Sequence, residues 1–506
     1  MKIGMVGLGR MGANMTKRLI EHGHGGERRA GGGRSRSTSG DRHGRQGSAE
    51  PRAPCNPAAA ARVWRLMGPG ITHGGARAGV GRLLPVVLPL LVATPLAPPA
   101  ASPIAIVDVR ILPMDGSGPR EHQAVLVEGD RIAWVGPADA LAAPAGSTVI
   151  DGDGRTLMPG LVDMHVHLER HDLPAYLAHG VTTVRNMWGF PDVWAMRREI
   201  EAGSLAGPTI YTVSPGLDGT PPKWPLTQIV MDPSLADSVV GAQWDAGYRT
   251  LKLYQDLRPE AYDSIVSAAR RRGMDFVGHV PHRVGLADAL AAGQRSLEHL
   301  SGFVEELSVT GGRGLGGWGA IRVEEIATLA AEARAANAWV CPTLAIVSRM
   351  ARNLPPTQRE AVRANRRQVV GVLHDEGVQL LVGSDAGIGV VDPGAALLDE
   401  LEEFAVAGIP RIEALRMATA GAARFLGAEG ELGIVAVGAR ADLLLLDGDP
   451  SADLATLAAP AGVMARGRWF LEPVPRSEPA APREELNPAG GAPPARASAG
   501  APAPSR

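Results

Sequence analysis

The chain has 506 residues, with 51 Lys and Arg against 53 Asp and Glu, and 45% of its residues are hydrophobic. This length suffices to bury a catalytic site in one large core with an accessory domain, and the near-zero net charge argues against nucleic acid or an anionic membrane as the partner. The 2 cysteines, Cys55 and Cys341, exclude a disulfide framework and a thiolate zinc site, so any metal must be held by histidines and carboxylates.

Residues 1–24 form a segment of their own. An apolar strand pattern is followed by Gly7, Gly9 and Gly12 in a Gly-x-Gly-x-x-Gly spacing and by the start of an amphipathic helix. This opening resembles the N-terminus of 6-phosphogluconate dehydrogenases, so an NAD(P)-dependent dehydrogenase is one alternative function. Nucleotide binding also needs a second strand and an acidic residue about 20 positions further on. The Arg/Gly-rich segment 25–66 supplies neither, so we expect a truncated Rossmann-like fragment followed by disorder.

Residues 67–102 have the order of a secretory signal: positive charge, then an apolar run, then small residues. The apolar run 83–97 is interrupted by prolines and is shorter than the roughly 20 residues that span a bilayer, so we expect no stable membrane span. The protein is expected to be periplasmic or secreted if translation starts at Met67, and cytoplasmic otherwise. The Pro/Ala-rich residues 473–506 are predicted to be disordered.

The middle of the chain alternates apolar strand patterns with helical ones. Eight such strands predict an α/β fold of the (β/α)8 TIM-barrel type over residues 160–426. Alternating β patterns at 103–159 and 427–472 bracket the barrel, so we expect them to pair as one small flanking β-sandwich. The predicted barrel strands are 161–168, 182–187, 209–215, 250–254, 275–280, 296–300, 339–344 and 380–387.

His165 and His167 lie on the first predicted barrel strand. Side chains two residues apart on a strand point to the same face, so both imidazoles can face the barrel axis at its C-terminal mouth. With 13 histidines in the chain, an isolated His-x-His also arises by chance. The position at the end of the first strand, directly after a Gly-Pro-bearing turn, favours a metal site.

Lys252 lies in the fourth strand, within TLKLY. A charged lysine in an apolar barrel strand is costly to desolvate. One alternative is an outward-facing or end-of-strand lysine whose amine extends to solvent. The other is a neutral amine that reacts with carbon dioxide to give a carbamate, whose two oxygens can bridge two cations.

Three further polar residues follow apolar strands. His279 ends the fifth strand, His299 ends the sixth, and Asp385 follows the eighth. Taken alone, each histidine is better explained as a core histidine whose hydrogen bonds are satisfied. Together with the first and fourth strands, however, five strands present a possible metal ligand at one mouth, and this joint arrangement predicts a metal centre.

These motifs resemble the amidohydrolase superfamily of metal-dependent (β/α)8 hydrolases. The resemblance covers residues 104–470 through PGLVDMHVHL, YLAHGVTTVRNM, LKLY, GHVPH, SLEHL, PTL, GSDAG and the closing segment 413–450. Within the superfamily, the chain is most similar to the imidazolonepropionase-like and Xaa-Pro-dipeptidase-like branch that carries a carboxylated lysine.

The resemblance implies a site with two divalent metal ions, taken as Zn2+, although His and carboxylate ligands also accept manganese or iron. His165, His167 and Asp385 would bind one ion, His279 and His299 the other, and carboxylated Lys252 and a hydroxide would bridge the two. Asp385 would also be catalytic, because it can take the proton of the nucleophile and pass it to the leaving group.

The function implied is hydrolysis of a C–N bond in a small amide, dipeptide or cyclic amide. A phosphotriesterase or lactonase on the same dinuclear site is the alternative within this class, because the same metal pair activates water against either centre. A catalytically inactive binding protein is a third possibility. The partner is a small-molecule substrate rather than nucleic acid, and a homo-oligomer is compatible with the sequence.

Three residues are weaker candidates for substrate binding. Tyr254 shares the face of Lys252 and either hydrogen-bonds the substrate or fills the barrel rim. His282, in the loop after the fifth strand, is a candidate partner for a substrate carboxylate. Arg185, on the second strand, either pairs with an acidic substrate group or balances internal charge. The Gly/Pro-rich loop 216–225, with Trp224, is expected to shape the pocket.

Overall fold

The computed structural model describes residues 102–471. The predicted segments 1–24, 25–66 and 473–506 and the signal-like run 83–97 lie outside the described residues. Among the helices within residues 102–471, none combines the length and the apolar character needed to cross a bilayer.

Eight parallel strand segments build the barrel. Each pairs in parallel register with its neighbour, as in Val340 beside Leu380 and Lys252 beside Val277. The third strand is interrupted and has two pieces, the second of which also pairs with the short strand Gln228–Ile229. In order, the strands are Leu161–Val166, Val181–Asn186, Thr209–Thr212 with Gly216–Asp218, Thr250–Leu253, Asp275–Gly278, Ser296–Glu298, Trp339–Cys341 and Gln379–Leu380.

Backbone hydrogen bonds close the barrel between its eighth and first strands. The amide of Met164 donates to the carbonyl of Val382 at 3.0 Å, and the amide of Asp385 donates to the carbonyl of His165 at 2.7 Å. The amide of Ser214 donates to the carbonyl of Thr250 at 2.9 Å, which joins the third and fourth strands. The predicted (β/α)8 barrel is therefore confirmed, and all eight C-terminal strand ends meet at one mouth.

Amphipathic helices surround the strands. The helix Pro259–Arg271 begins with proline at a position where no amide is needed, and it buries Tyr262, Ile265, Val266 and Ala269, which recur at helical spacing. The α-helices are Leu173–Ala178, Val193–Glu201, Ala236–Asp245, Pro259–Arg271, Leu286–Ala291, Phe303–Leu307, Gly314–Gly317, Ile326–Ala335, Leu344–Met350, Pro356–Asp375, Ala395–Val406, Arg411–Arg416 and Ala422–Leu426.

Shorter helical turns complete the helical part of the fold. One π-helical turn, Met417–Gly421, joins the last two α-helices. The 3-10 turns are Ala138–Ala140, Arg170–Asp172, Pro233–Leu235, Val323–Glu325, Ala351–Asn353 and Leu454–Ala458.

The flanking β domain is built from both sides of the barrel in sequence, as predicted. Its N-terminal and C-terminal parts join where Thr156–Pro159 pairs antiparallel with Leu443–Leu446. Apolar side chains of both parts, such as Ile106 and Leu445, share one core. The eight strands are Ile104–Ile111, Arg120–Glu128, Arg131–Pro137, Thr148–Asp151, Thr156–Pro159, Leu443–Leu446, Gly462–Ala465 and Arg468–Leu471.

The alternating pattern of residues 431–438 predicts a strand, but in the structure this segment forms turns. Gly433 and Gly438 have φ 69° and 88° there. A Cβ at Gly433 would lie 2.4 Å from the carbonyl carbon of Thr419, so the backbone approaches more closely than a side chain allows. The turn reaches the β domain where the amide of Val435 donates to the carbonyl of Pro113 at 3.0 Å.

Candidate metal centre

Four histidines converge at the mouth of the barrel. The ring centroids of His165 and His299 are 4.6 Å apart, as are those of His279 and His299. The ring of His167 lies 5.5 Å from that of His165. Strands one, five and six therefore bring these imidazoles together, although the residues are far apart in the chain.

Asp385 lies among these rings. Its Oδ1 is 3.0 Å from Nε2 of His167 and 3.4 Å from Nε2 of His165, and its Oδ2 is 3.8 Å from Nδ1 of His299. Its backbone has φ 55°, in the left-handed region, where the chain turns away from the eighth strand. The turn and the hydrogen bond to His165 place the carboxylate beside the first strand.

Glu298 fixes the ring of His165. Its Oε2 is 2.8 Å from Nδ1 of His165, while Arg185 and Ser296 donate to its Oε1 at 3.0 and 2.5 Å. Burial lowers the pKa of His165 well below its usual value, so the ring is neutral. Because the carboxylate accepts a hydrogen bond from the Nδ1–H group, Nε2 carries no proton and has a free lone pair.

The lone pair on Nε2 of His165 points at a second electron-pair donor. Nε2 of His165 is buried without a hydrogen-bond partner and faces Oδ1 of Asp385 at 3.4 Å. Nδ1 of His279 and Nζ of Lys252 are likewise buried and unpartnered. Electron-pair donors that face one another in a dry site are unfavourable unless a cation lies between them. The residues present therefore fit the divalent metals that the resemblance implies.

Lys252 is 1% exposed, so its amine does not extend to solvent. Burial lowers its pKa to about 8, although the negative charges of Glu298 and Asp385 oppose this shift. A sizeable fraction of the amine is therefore neutral near pH 7 to 8. The structure places this amine near the histidine cluster, where its charge interacts with those of His165, His279 and His299.

His279 and His299 complete the polar rim. Burial lowers the pKa of His279 well below its usual value and that of His299 to about 3. Both rings are therefore neutral and offer lone pairs. Nδ1 of His299 is 2.8 Å from Oγ1 of Thr343.

The structure places Tyr254 in the mouth. Its ring centroid is 4.3 Å from that of His279, and its hydroxyl accepts a hydrogen bond from Nε1 of Trp224 at 2.8 Å. The ring of Trp224 lies nearly parallel to that of His167, at 6.4 Å. Trp188 donates to the carbonyl of Pro225 at 2.9 Å and so helps to hold the loop that carries Trp224.

The two other candidates for substrate binding have different surroundings. Nδ1 of His282 is 3.1 Å from Oε1 of Glu305, near the rim. Arg185 is 2% exposed and donates to the carbonyl of Met164, to Ser296 and to Glu298. These contacts favour the second of its two predicted roles, internal charge balance.

Glu298, Asp163 and Ser384 are site residues that were not predicted from the sequence. Ser384 donates from Oγ to Oδ2 of Asp163 at 2.5 Å and from its amide to Oδ1 at 3.0 Å, which ties the eighth strand to the first. Burial raises the pKa of Asp163 to about 7. The available signal was the same for Asp163 and Glu298: an acidic residue in an otherwise apolar barrel strand.

Comparison with known proteins places this geometry in a family. The chain is 27% identical over 391 residues to a 5-methylthioadenosine/S-adenosylhomocysteine deaminase from Symbiobacterium thermophilum (strain DSM 24528 / JCM 14929 / IAM 14863 / T), covering 67% of this chain and 84% of that protein. A prolidase-like protein from Bifidobacterium longum is 25% identical, with a TM-score of 0.62 over 75% of this chain and 97% of the other.

Other matches are short. The chain is 53% identical to an imidazolonepropionase from Arthrobacter sp. (strain FB24) over 45 residues, 9% of this chain, and spans only 11% of that protein. The bacterial imidazolonepropionase-like composite domain matches residues 124–143. The amidohydrolase family, in contrast, matches residues 156–470, which include the whole barrel and every candidate ligand. The chain therefore belongs to the amidohydrolase family.

Proposed function

We propose that the protein is a metal-dependent hydrolase that cleaves a C–N bond in a small amide, dipeptide or cyclic amide. The observation that carries this proposal is the group of buried, unpartnered donor atoms on His165, Lys252 and His279, beside the carboxylate of Asp385. The names of the deaminase and prolidase-like relatives also denote cleavage of C–N bonds.

In this proposal, two groups of ligands share the mouth. His165, His167 and Asp385, whose ligand atoms lie within 4.8 Å of one another, hold one divalent cation. His279 and His299 hold a second, and Zn2+ suits the nitrogen and oxygen donors of both sites.

Lys252, as a carbamate, would offer an oxygen ligand to each of the two ions. Its neutral amine adds to carbon dioxide, a C–N bond forms, and one proton is released to water. The product is an anion with two oxygens, and it removes the cost of an unpartnered amine at 1% exposure.

When bound, the two divalent ions polarise the scissile carbonyl and lower the pKa of water, so that hydroxide is available as nucleophile near neutral pH. Asp385 accepts the proton of the nucleophile and passes it to the leaving nitrogen. Tyr254 accepts a hydrogen bond from Trp224, which leaves its own proton free to donate to the substrate oxygen. Burial raises the pKa of Tyr254 to about 12, so this proton is retained at neutral pH.

The test combines a metal count per chain with activity against dipeptides, cyclic amides, aryl esters and phosphotriesters. We expect divalent metal in the wild type and turnover of a C–N substrate. Asp385→Asn should keep much of the metal but lose about 100-fold or more in kcat. Asp392→Asn, an exposed residue after the same strand, is the matched control and should retain both. A wild type without divalent metal, or Asp385→Asn at a near-native rate, would refute the proposal.

The carbamate is tested separately. The protein is depleted of carbon dioxide and metal, then reconstituted with metal and 13C-labelled bicarbonate. We expect a labelled carbamate carbon by NMR in the wild type and none in Lys252→Ala, which should also lose metal. If the label is missing while the wild type holds its full metal content, Lys252 is a free amine.

A further inference from the structure

Thr343, two residues beyond the seventh strand, has an unusual backbone. It has φ 49° and is fully buried. A β-branched residue is rarely found in the left-handed region, because its Cβ substituents crowd the backbone. Such a conformation persists only where the surroundings hold it in place.

Two buried polar side chains supply that hold. The carboxyl oxygens of Glu400 accept hydrogen bonds from the amides of Leu344 and Ala345 at 2.9 and 2.7 Å. The guanidinium of Arg366 donates to the carbonyl of Pro342 at 2.5 Å and to that of His299 at 3.1 Å. Arg366 therefore links the backbone at the end of the sixth strand, which carries His299, to the backbone after the seventh strand, which carries Thr343.

The contact itself decides which nitrogen of His299 carries a proton. Oγ1 of Thr343 is 2.8 Å from Nδ1, and the carboxylate of Asp385 is 3.8 Å from the same atom. A nearby negative charge favours the proton on Nδ1, and the threonine oxygen then accepts a hydrogen bond from the Nδ1–H group. Nε2 is left with its lone pair, directed away from Thr343.

We propose that Thr343 is a positioning residue for His299: its hydroxyl fixes the ring and the Nδ1–H tautomer, so that Nε2 faces a divalent cation, while Arg366 and Glu400 hold Thr343 in its left-handed conformation. This inference rests on the proposed metal centre. Residues that orient a metal ligand in this way typically change metal affinity by about 10- to 100-fold.

The experiment compares Thr343→Val with Thr343→Ser in the full chain. Valine keeps the size and β-branching but removes the hydroxyl, whereas serine keeps the hydroxyl. Zn2+ affinity is measured by chelator competition, and unfolding of the metal-free proteins controls for stability. We expect Thr343→Val to bind one of two Zn2+ ions about 10- to 100-fold more weakly, and Thr343→Ser to remain within roughly threefold of the wild type.

The outcomes separate this inference from the proposed function. A wild type that binds no Zn2+ overturns both. If the wild type binds two Zn2+ ions and Thr343→Val binds them with unchanged affinity, only the role of Thr343 is overturned. The same holds if Thr343→Val and Thr343→Ser lose Zn2+ affinity equally. If Thr343→Val does not fold, 15N NMR of histidine-labelled wild type decides instead, with His299 assigned by the signal missing in His299→Gln. A proton on Nε2 of His299 in the metal-free protein would refute the inference.

Discussion

Replacing Arg185 with leucine tests whether this residue serves the fold or the substrate. Arg185 forms a buried ion pair with Glu298, whose side chain is 0% exposed, and donates two further hydrogen bonds, to the carbonyl of Met164 at 2.6 Å and to Ser296 at 3.1 Å. The Arg185→Leu variant leaves the Glu298 charge with only His165 and Ser296 as donors. Removing one partner of a buried pair costs about 3–5 kcal/mol, far more than the pair itself contributes.

The measurement is the free energy of unfolding in urea, made on metal-free protein so that metal loss does not contribute. Arg197→Leu is the control, because its exposed pair with Glu201 at 2.8 Å is worth only about 0.3–0.5 kcal/mol. Arg185→Leu combined with Glu298→Gln should be less destabilised than Arg185→Leu alone, since no buried charge is left unpaired. A loss below about 1 kcal/mol for Arg185→Leu, with a raised KM, would refute internal charge balance and favour substrate binding.

Three further predictions concern stability. Gly387→Ala should lower the free energy of unfolding in urea by at least about 2 kcal/mol, because φ is 99° and a Cβ would lie 1.7 Å from the carbonyl oxygen of His167. The control is Gly438→Ala, where φ is 88° but a Cβ would meet no neighbouring atom; it should lower the free energy of unfolding by only about 1 kcal/mol. Burial raises the pKa of Glu400 to about 8, so between about pH 4.5 and 8 the folded state keeps a proton that the unfolded state loses. The free energy of unfolding of the wild type, relative to Glu400→Gln, should therefore fall as the pH rises through this range. A rise instead would show that Glu400 is ionised in the folded state. Removing metal with a chelator should lower the free energy of unfolding by about 2.7 kcal/mol for each metal site, relative to protein with free metal at 100 times Kd, and an unchanged unfolding curve would contradict a metal centre.

The barrel was predictable because of a simple physical rule. Strands of a parallel barrel are covered on both faces, so they appear as continuous apolar runs, and a polar residue at the end of such a run needs an explanation. Lys252, His299 and Asp385 stand out in this way. The strands begin within one residue of their predicted starts, but the eighth ends at Leu380 rather than at residue 387, because the predicted runs continue into the loops at the mouth.

Other parts of the site depend on pairings between distant strands. Arg185 and Glu298 belong to the second and sixth strands, and neither residue alone indicates the other. The left-handed Thr343 is held by Arg366 and Glu400, which come from two helices further along the chain. Local pattern carries no information about such contacts, so the orientation of His165 and His299 became visible only in three dimensions.

The antiparallel pairing of Thr156–Pro159 with Leu443–Leu446 has a consequence for biosynthesis. The first of these strands emerges from the ribosome before the barrel, and its partner emerges only after the barrel is made. Until then the nascent protein carries an open sheet edge next to the strand that bears His165, and such edges invite aggregation. A translation product that stops before Leu443 would keep that edge exposed, even with every candidate metal ligand already synthesised.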